Sequence, residues 1–148
     1  MQLTHFSDYS LRVLIYLAQR QGAHTTIKDI SEAYRISESH LMKVVHKLSM
    51  LGYLNTVRGR GGGISLAHAP TDISIGRVVR DVEPLAIVEC FEPEYDASCK
   101  LYPKCGLIGV LRAARANFLA TLDAYSVADA AGSKRPSARP IDLVTVRR

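Results

Sequence analysis

The feature that most constrains this chain is a change of hydrophobic period. Three stretches with apolar residues every three or four positions give way after Gly52 to two short extended runs, Tyr53-Leu54-Asn55-Thr56-Val57 and Ile64-Ser65-Leu66. Between them lies Arg58-Gly59-Arg60-Gly61-Gly62-Gly63. A helix buries one stripe and a strand alternates its faces, so the order implied is helix, helix, helix, glycine-rich hairpin.

Each helix carries its own punctuation. Ser7 reads as an N-cap with Asp8 in the first turn, followed by Leu11, Leu14, Ile15 and Ala18, which predicts a helix from Asp8 to about Gln19 with Gly22 as its stop. Thr26 with Asp29 three residues on resembles a capping box, opening a second helix with Ile27, Ile30, Ala33 and Tyr34 inward. After a break at Arg35 and Ile36, Ser37 caps a third helix whose Leu41, Val44, Val45 and Leu48 form one apolar stripe. Its other face carries Ser39, His40, Lys43 and Lys47.

Farther on, Ile75 to Glu83 predicts a fourth helix stopped by Pro84, and Cys90 to Cys105 reads as an irregular loop. Leu107, Leu111, Ala114, Phe118, Leu122 and Tyr125 then recur at helical spacing, the seam of a long amphipathic helix that needs a partner. The expected organisation is mainly α: a winged helix-turn-helix domain over 1–83, a cysteine loop over 84–105, a dimerisation helix over 106–131, and a basic, disordered tail over 132–148.

Composition adds limits. With 47% hydrophobic and 22% charged residues, 148 residues suit one globular unit that needs no disulfide staples. No apolar run approaches the roughly 20 residues of a membrane helix, and the N-terminus lacks a basic-then-apolar leader, so the expected location is the cytoplasm, away from membranes. The net charge of +5 says little by itself, because Lys134, Arg135, Arg139, Arg147 and Arg148 crowd the tail. Local charge says more: Arg35, Lys43, Lys47, Arg58 and Arg60 face the single acid Glu38 between Arg35 and Leu66, whereas Asp81 to Asp96 holds six acids and no base.

Three helices followed by a basic hairpin form the arrangement in which a third helix fits the major groove of duplex DNA and the hairpin reaches the adjacent backbone or minor groove. The residues expected to meet DNA are Thr26, Ser37, Ser39, His40, Lys43 and Lys47 on the helices, with Arg58, Arg60, Gly61 and Gly62 on the hairpin. Two lysines on a helix are ordinarily a solvated face, and three glycines an ordinary turn; their joint order is what points to DNA. No Gly-Lys-Ser/Thr follows the glycines, which excludes a phosphate loop, and no nucleophile-base constellation or zinc-protease motif points to an enzyme. A purely structural interaction module would leave the basic hairpin without a purpose.

Cys90, Cys99 and Cys105, spaced C-x8-C-x5-C, offer three soft thiolates suited to iron-sulfur or zinc, one short of the usual four. An iron without a cysteine is the one most open to a labile ligand or to a small molecule. The six nearby acids disfavour three free thiolates, so a loop poorly ordered or partly protonated without metal is expected.

The runs Met1-Gln2-Leu3-Thr4, Phe6-Ser7-Asp8-Tyr9-Ser10-Leu11-Arg12, Gly52-Tyr53-Leu54, Val57 to Gly63, and Ile75-Gly76 through Val82-Glu83-Pro84 closely resemble the winged-helix iron-sulfur regulator family that includes NsrR and IscR types. The match covers most of the chain, and Glu83-Pro84-Leu85 is most similar to the nitric-oxide-sensing NsrR type. The resemblance implies a homodimer paired through long C-terminal helices, a palindromic operator, and repression relieved by nitric oxide. It also implies a cluster, 4Fe-4S with 2Fe-2S as the alternative, held by Cys90, Cys99, Cys105 and an Asp8 from the second subunit, with Arg12 in support. IscR-like members place a histidine one turn after the third cysteine; Ile108 stands there, and all five histidines precede residue 69. The first cysteine gap is longer than is usual in the family. Without an iron-sulfur cluster, the same three thiols would make a redox- or zinc-responsive regulator of the same fold.

Overall fold

In the computed structural model, residues 2–20, 24–59, 61–92 and 94–132 are described. Helix α1 spans His5–Gln19, α2 Ile27–Tyr34 and α3 Glu38–Met50. The start of α1 differs from expectation. Thr4, not Ser7, is its N-cap, and the Thr4 hydroxyl accepts from the Ser7 N–H at 3.3 Å. Ser7 is fully buried, so it packs rather than terminates the helix. The capping box of α2 forms as expected: Thr26 N–H donates to Asp29 at 2.7 Å and the Asp29 N–H donates back to the Thr26 hydroxyl. The predicted inward face of α2 is narrower than expected, with Ile30 buried and Ala33 exposed.

The turn from α2 to α3 depends on Arg35, which takes a left-handed conformation (φ 55°), and on the Ser31 hydroxyl, which donates to the Ile36 carbonyl at 2.6 Å. Ile36 is thereby buried, and α3 is aimed with Leu41, Val44, Val45 and Leu48 against α1 and α2. At the end of α3, Gly52 (φ 80°) reverses the chain into an antiparallel pair, β1 Leu54–Val57 and β2 Gly63–Leu66, in register Leu54 with Leu66 and Val57 with Gly63. The Ile64 N–H donates to the Thr25 carbonyl at 2.8 Å, so the hairpin is pinned to the segment before α2. Three helices and a two-stranded antiparallel sheet in this order are consistent with a winged-helix arrangement.

Helix α4 spans Ile75–Val82 and is capped by Ser74. The expected single helix over 106–131 is two: α5 Gly106–Asp123 and α6 Val127–Ala131. The break has a local cause. Ser126 and Asp129 form a second capping box, which starts a new helix, and Val127 is fully buried in the main core. Backbone bonds from Ile75 N–H to the Tyr125 carbonyl and from Val127 N–H to the Ile73 carbonyl hold this turn against the segment before α4. Thus α6 returns to α1, where Gln19 donates to the Ala131 carbonyl at 3.1 Å. The core is continuous from Val13 and Leu14 through Leu48 and Ile64 to Val78 and Val127. Among the described residues, no helix is long and apolar enough to cross a membrane. Apart from Gly132, the tail expected to be disordered lies outside the described residues.

Candidate functional site

Two regions collect the residues singled out by the sequence. The first is the outer side of α3 with the hairpin. Burying Leu41, Val44, Val45 and Leu48 on one side of a 3.6-residue helix turns Ser39, His40, Lys43, His46 and Lys47 to solvent on the other. Ser37 is the N-cap of α3 by position, yet its side chain makes no cap hydrogen bond; its hydroxyl lies 3.2 Å from that of Ser39, and both are exposed. The first N–H groups of α3 are therefore not covered by a capping side chain. Thr26 is half-buried, with its hydroxyl engaged by Asp29 at 2.8 Å.

At the hairpin, Arg58 is exposed, and Arg60 lies outside the described residues. Gly61 takes φ 83°, a region costly for any other residue, while a Cβ on Gly62 would lie 2.9 Å from the Arg58 backbone carbon. Two exposed apolar side chains on α3, Met42 at 55% and Met50 at 74%, escape a reading based on polar residues alone.

The second region is the cysteine loop. Cys90, Cys99 and Cys105 are free thiols, and all three line one cavity of about 420 Å³. Its remaining wall is mainly apolar, with Val88, Leu101, Leu107, Ile108 and Leu111. Residues Glu89–Phe91 form a 3-10 turn that presents Cys90, and Cys105 is the N-cap of α5, which places the positive end of an 18-residue helix beside the cavity. Cys99 is set by its neighbour: its N–H donates to the Tyr95 hydroxyl at 2.7 Å, and Tyr95 packs edge-on against Tyr102. Most of the loop's acids turn elsewhere, since Glu92, Glu94 and Asp96 line an adjoining cleft and only Glu89 borders both. Among the described residues, no three Cys, His, Asp or Glu side chains are grouped to hold a single metal ion.

Several contacts join this loop to the rest of the molecule, and sequence patterns did not reveal them. Arg115 of α5 donates to the Leu85 carbonyl at 3.2 Å and lies 4.9 Å from the centre of the Phe91 ring, holding the segment that carries Cys90 at both ends. Glu83 accepts from the Thr4 N–H at 3.0 Å and from the Thr4 hydroxyl at 2.9 Å, so the residue just before the loop also tethers the start of α1. Asp8 lies four residues along α1, within 3.0 Å of Arg12, whose protonated form it favours by hydrogen bonding. Neither Asp8 nor Arg12 lines the cysteine cavity of its own chain.

Comparison with known proteins places this architecture. A family model described as Rrf2, iron-dependent transcriptional regulator, matches residues 3–133. The HTH-type transcriptional regulator NsrR of Bacillus subtilis (strain 168) is 51% identical over 136 residues, which cover 90% of this chain and 92% of that protein. NsrR of Geobacillus kaustophilus (strain HTA426) is 50% identical over 131 residues, covering 87% of this chain and 88% of its own. Among solved structures, CymR (YrzC), the global cysteine regulator of B. subtilis, superposes with a TM-score of 0.65 at 28% identity, over 88% of this chain and 96% of that one. IscR of T. potens gives a TM-score of 0.70 at 24% identity, over 88% of this chain and 85% of that one, a likeness of fold. Similarity of this extent, running through the helices, the hairpin and the cysteine loop alike, identifies the chain as a member of the Rrf2 family of iron-dependent transcriptional regulators, which are DNA-binding proteins rather than enzymes.

Proposed function

We propose that the protein is a homodimeric repressor whose grip on a palindromic DNA operator is set by an iron-sulfur cluster, 4Fe-4S in type, that answers to nitric oxide. The ligands in this reading are Cys90, Cys99, Cys105 and the partner subunit's Asp8. The observation that carries it is the shared cavity: the three free thiols of the loop line one mainly apolar space of about 420 Å³. A lone zinc ion would draw its thiolates to about 2.3 Å from one point. A cavity of this volume lined by all three thiols has room for a body of several atoms, which supports the iron-sulfur reading. When bound, such a cluster supplies an iron without a fourth cysteine, open to nitric oxide.

The rest follows from the chain's own residues. The exposed side of α3, with Ser37, Ser39, His40, Lys43 and Lys47, enters the major groove, and Thr26 fixes the start of α2. Arg58, Arg60, Gly61 and Gly62 bring the wing to the backbone or minor groove. In the dimer, α5 pairs with its equivalent through the exposed Leu107 and Val110, and the two recognition helices meet successive half-sites. The partner subunit's Asp8 would hold the cluster from α1, whose start is tied through Thr4 to Glu83, the residue just before the loop, and Arg12 steadies that carboxylate. Holding the loop therefore fixes the angle of the DNA-binding half, and releasing it frees that angle.

Anaerobic purification followed by iron and sulfide assays, with nitric-oxide titration read by absorbance and operator binding, tests this reading. Brown protein that loses operator affinity with nitric oxide is the expected result, and Cys99→Ser and Cys105→Ser should lose both colour and response. Cysteine variants that bind operator normally and still respond to nitric oxide would show the proposal to be wrong.

A further inference from the structure

We infer that Met42 reads the C5-methyl group of a thymine in the major groove and is a specificity-determining residue of α3. The inference rests on the proposed docking of α3 and goes beyond it, because the polar residues above account for hydrogen bonds and charge only. On the side of α3 opposite its buried stripe, Ser39, Lys43 and His46 all have hydrogen-bonding groups. Met42 sits among them with 55% of its surface in water. Its thioether is a weak acceptor and no donor, so it cannot read a base edge by hydrogen bonding.

Leaving an apolar side chain in water on a well-packed helix costs free energy that burial would recover. In the major groove, the partner able to recover it is the thymine methyl, the apolar feature that separates A·T from G·C there. A cytosine in its place has only a hydrogen on C5, so the apolar contact is lost, which makes it selective as well as favourable. An unbranched chain with three rotatable bonds can follow the methyl as the helix settles. Position matters too. Met42 lies in the second turn of α3, within the N-terminal part of a recognition helix that meets base edges, whereas Met50, 74% exposed, lies in the last turn.

The probe is a duplex enriched from a random pool by the full chain, purified without oxygen. Each thymine of the enriched site is replaced in turn by uracil, which removes the methyl and keeps every hydrogen-bonding group. The wild-type protein should lose about fourfold in affinity at one position of each half-site, the value of one buried methyl group. Met42→Ala should bind the thymine and uracil forms of that position alike, Met42→Leu should restore discrimination, and Met50→Ala should keep it in full. Matching thermal melting of the variants shows that the fold is intact. A uniform response of the wild type to uracil at every position, or full discrimination by Met42→Ala, overturns the role of Met42 while leaving DNA binding standing. Failure of the wild type to enrich any sequence overturns the docking of α3, and this inference with it.

Discussion

At Gly76 the fourth and fifth helices approach so closely that a side chain has no room: a Cβ there would lie 2.8 Å from the Asp123 backbone nitrogen and would strike the Asp123 carboxylate. Gly76→Ala should therefore destabilise the protein by roughly 1–3 kcal/mol, the usual cost of overpacking, seen as a lower denaturation midpoint with an unchanged slope. Beside it, Arg80 grips Asp123 through two bonds of 2.5 and 2.6 Å and holds the Asp123 carboxyl below the ordinary carboxylate range. A carboxylate whose folded pKa is depressed adds stability that is present above its unfolded pKa and disappears as pH falls through the folded one. Thermal unfolding followed from neutral to acid pH should show a shallower acid limb in Asp123→Asn than in the wild type. The effect will be small, because both side chains are about two-fifths exposed. Neither contact is legible in the sequence, since Gly76 and Asp123 stand 47 positions apart (123 − 76) and share no pattern.

At the level of elements, local signals are legible where a side chain acts on its own backbone and obscure where burial decides. Thr26 and Asp29 announce α2, and the box forms; Ser126 and Asp129 carry the same signal, but it was lost inside a run of alanine and leucine that reads as one helix. Thr26→Ala should cost about 1 kcal/mol of stability through loss of the cap. Ser126→Ala should fray α6, seen as faster amide exchange at Val127 and Ala128, because the fully buried Val127 depends on that turn. Ser7 shows the opposite error. Its residue type suits an N-cap, but Thr4 lies one turn earlier with Glu83 to hold it, and tertiary contact chose between two plausible starts. The hairpin was legible almost to the residue, since Gly52, Gly59 and Gly61 all take positive φ that other residues avoid.

For the molecule as a whole, the exposed residues of α3 proposed to face DNA can be listed from one strip of sequence, because a single amphipathic helix sorts them by period. Arg58→Ala should weaken operator binding across sequences and reduce the slope of log affinity against log salt by about one, if it meets one phosphate. The cysteine region was legible as chemistry and not as geometry. Spacing named three thiols, but their common cavity, and the hold of Arg115 and Glu83 on either flank, arise from chain segments that only folding brings together. The way α5 is held carries one more consequence. Its far end is rooted by Gly76 and Arg80, while its near end begins at Cys105 and leaves Leu107 and Val110 bare. Eighteen residues make a beam of about 27 Å, so a pivot of only 5° at the root swings the tip by roughly 2 Å. Mounted as a cantilever, the helix turns a slight rotation at its root into an ångström-scale displacement of its thiol-bearing tip.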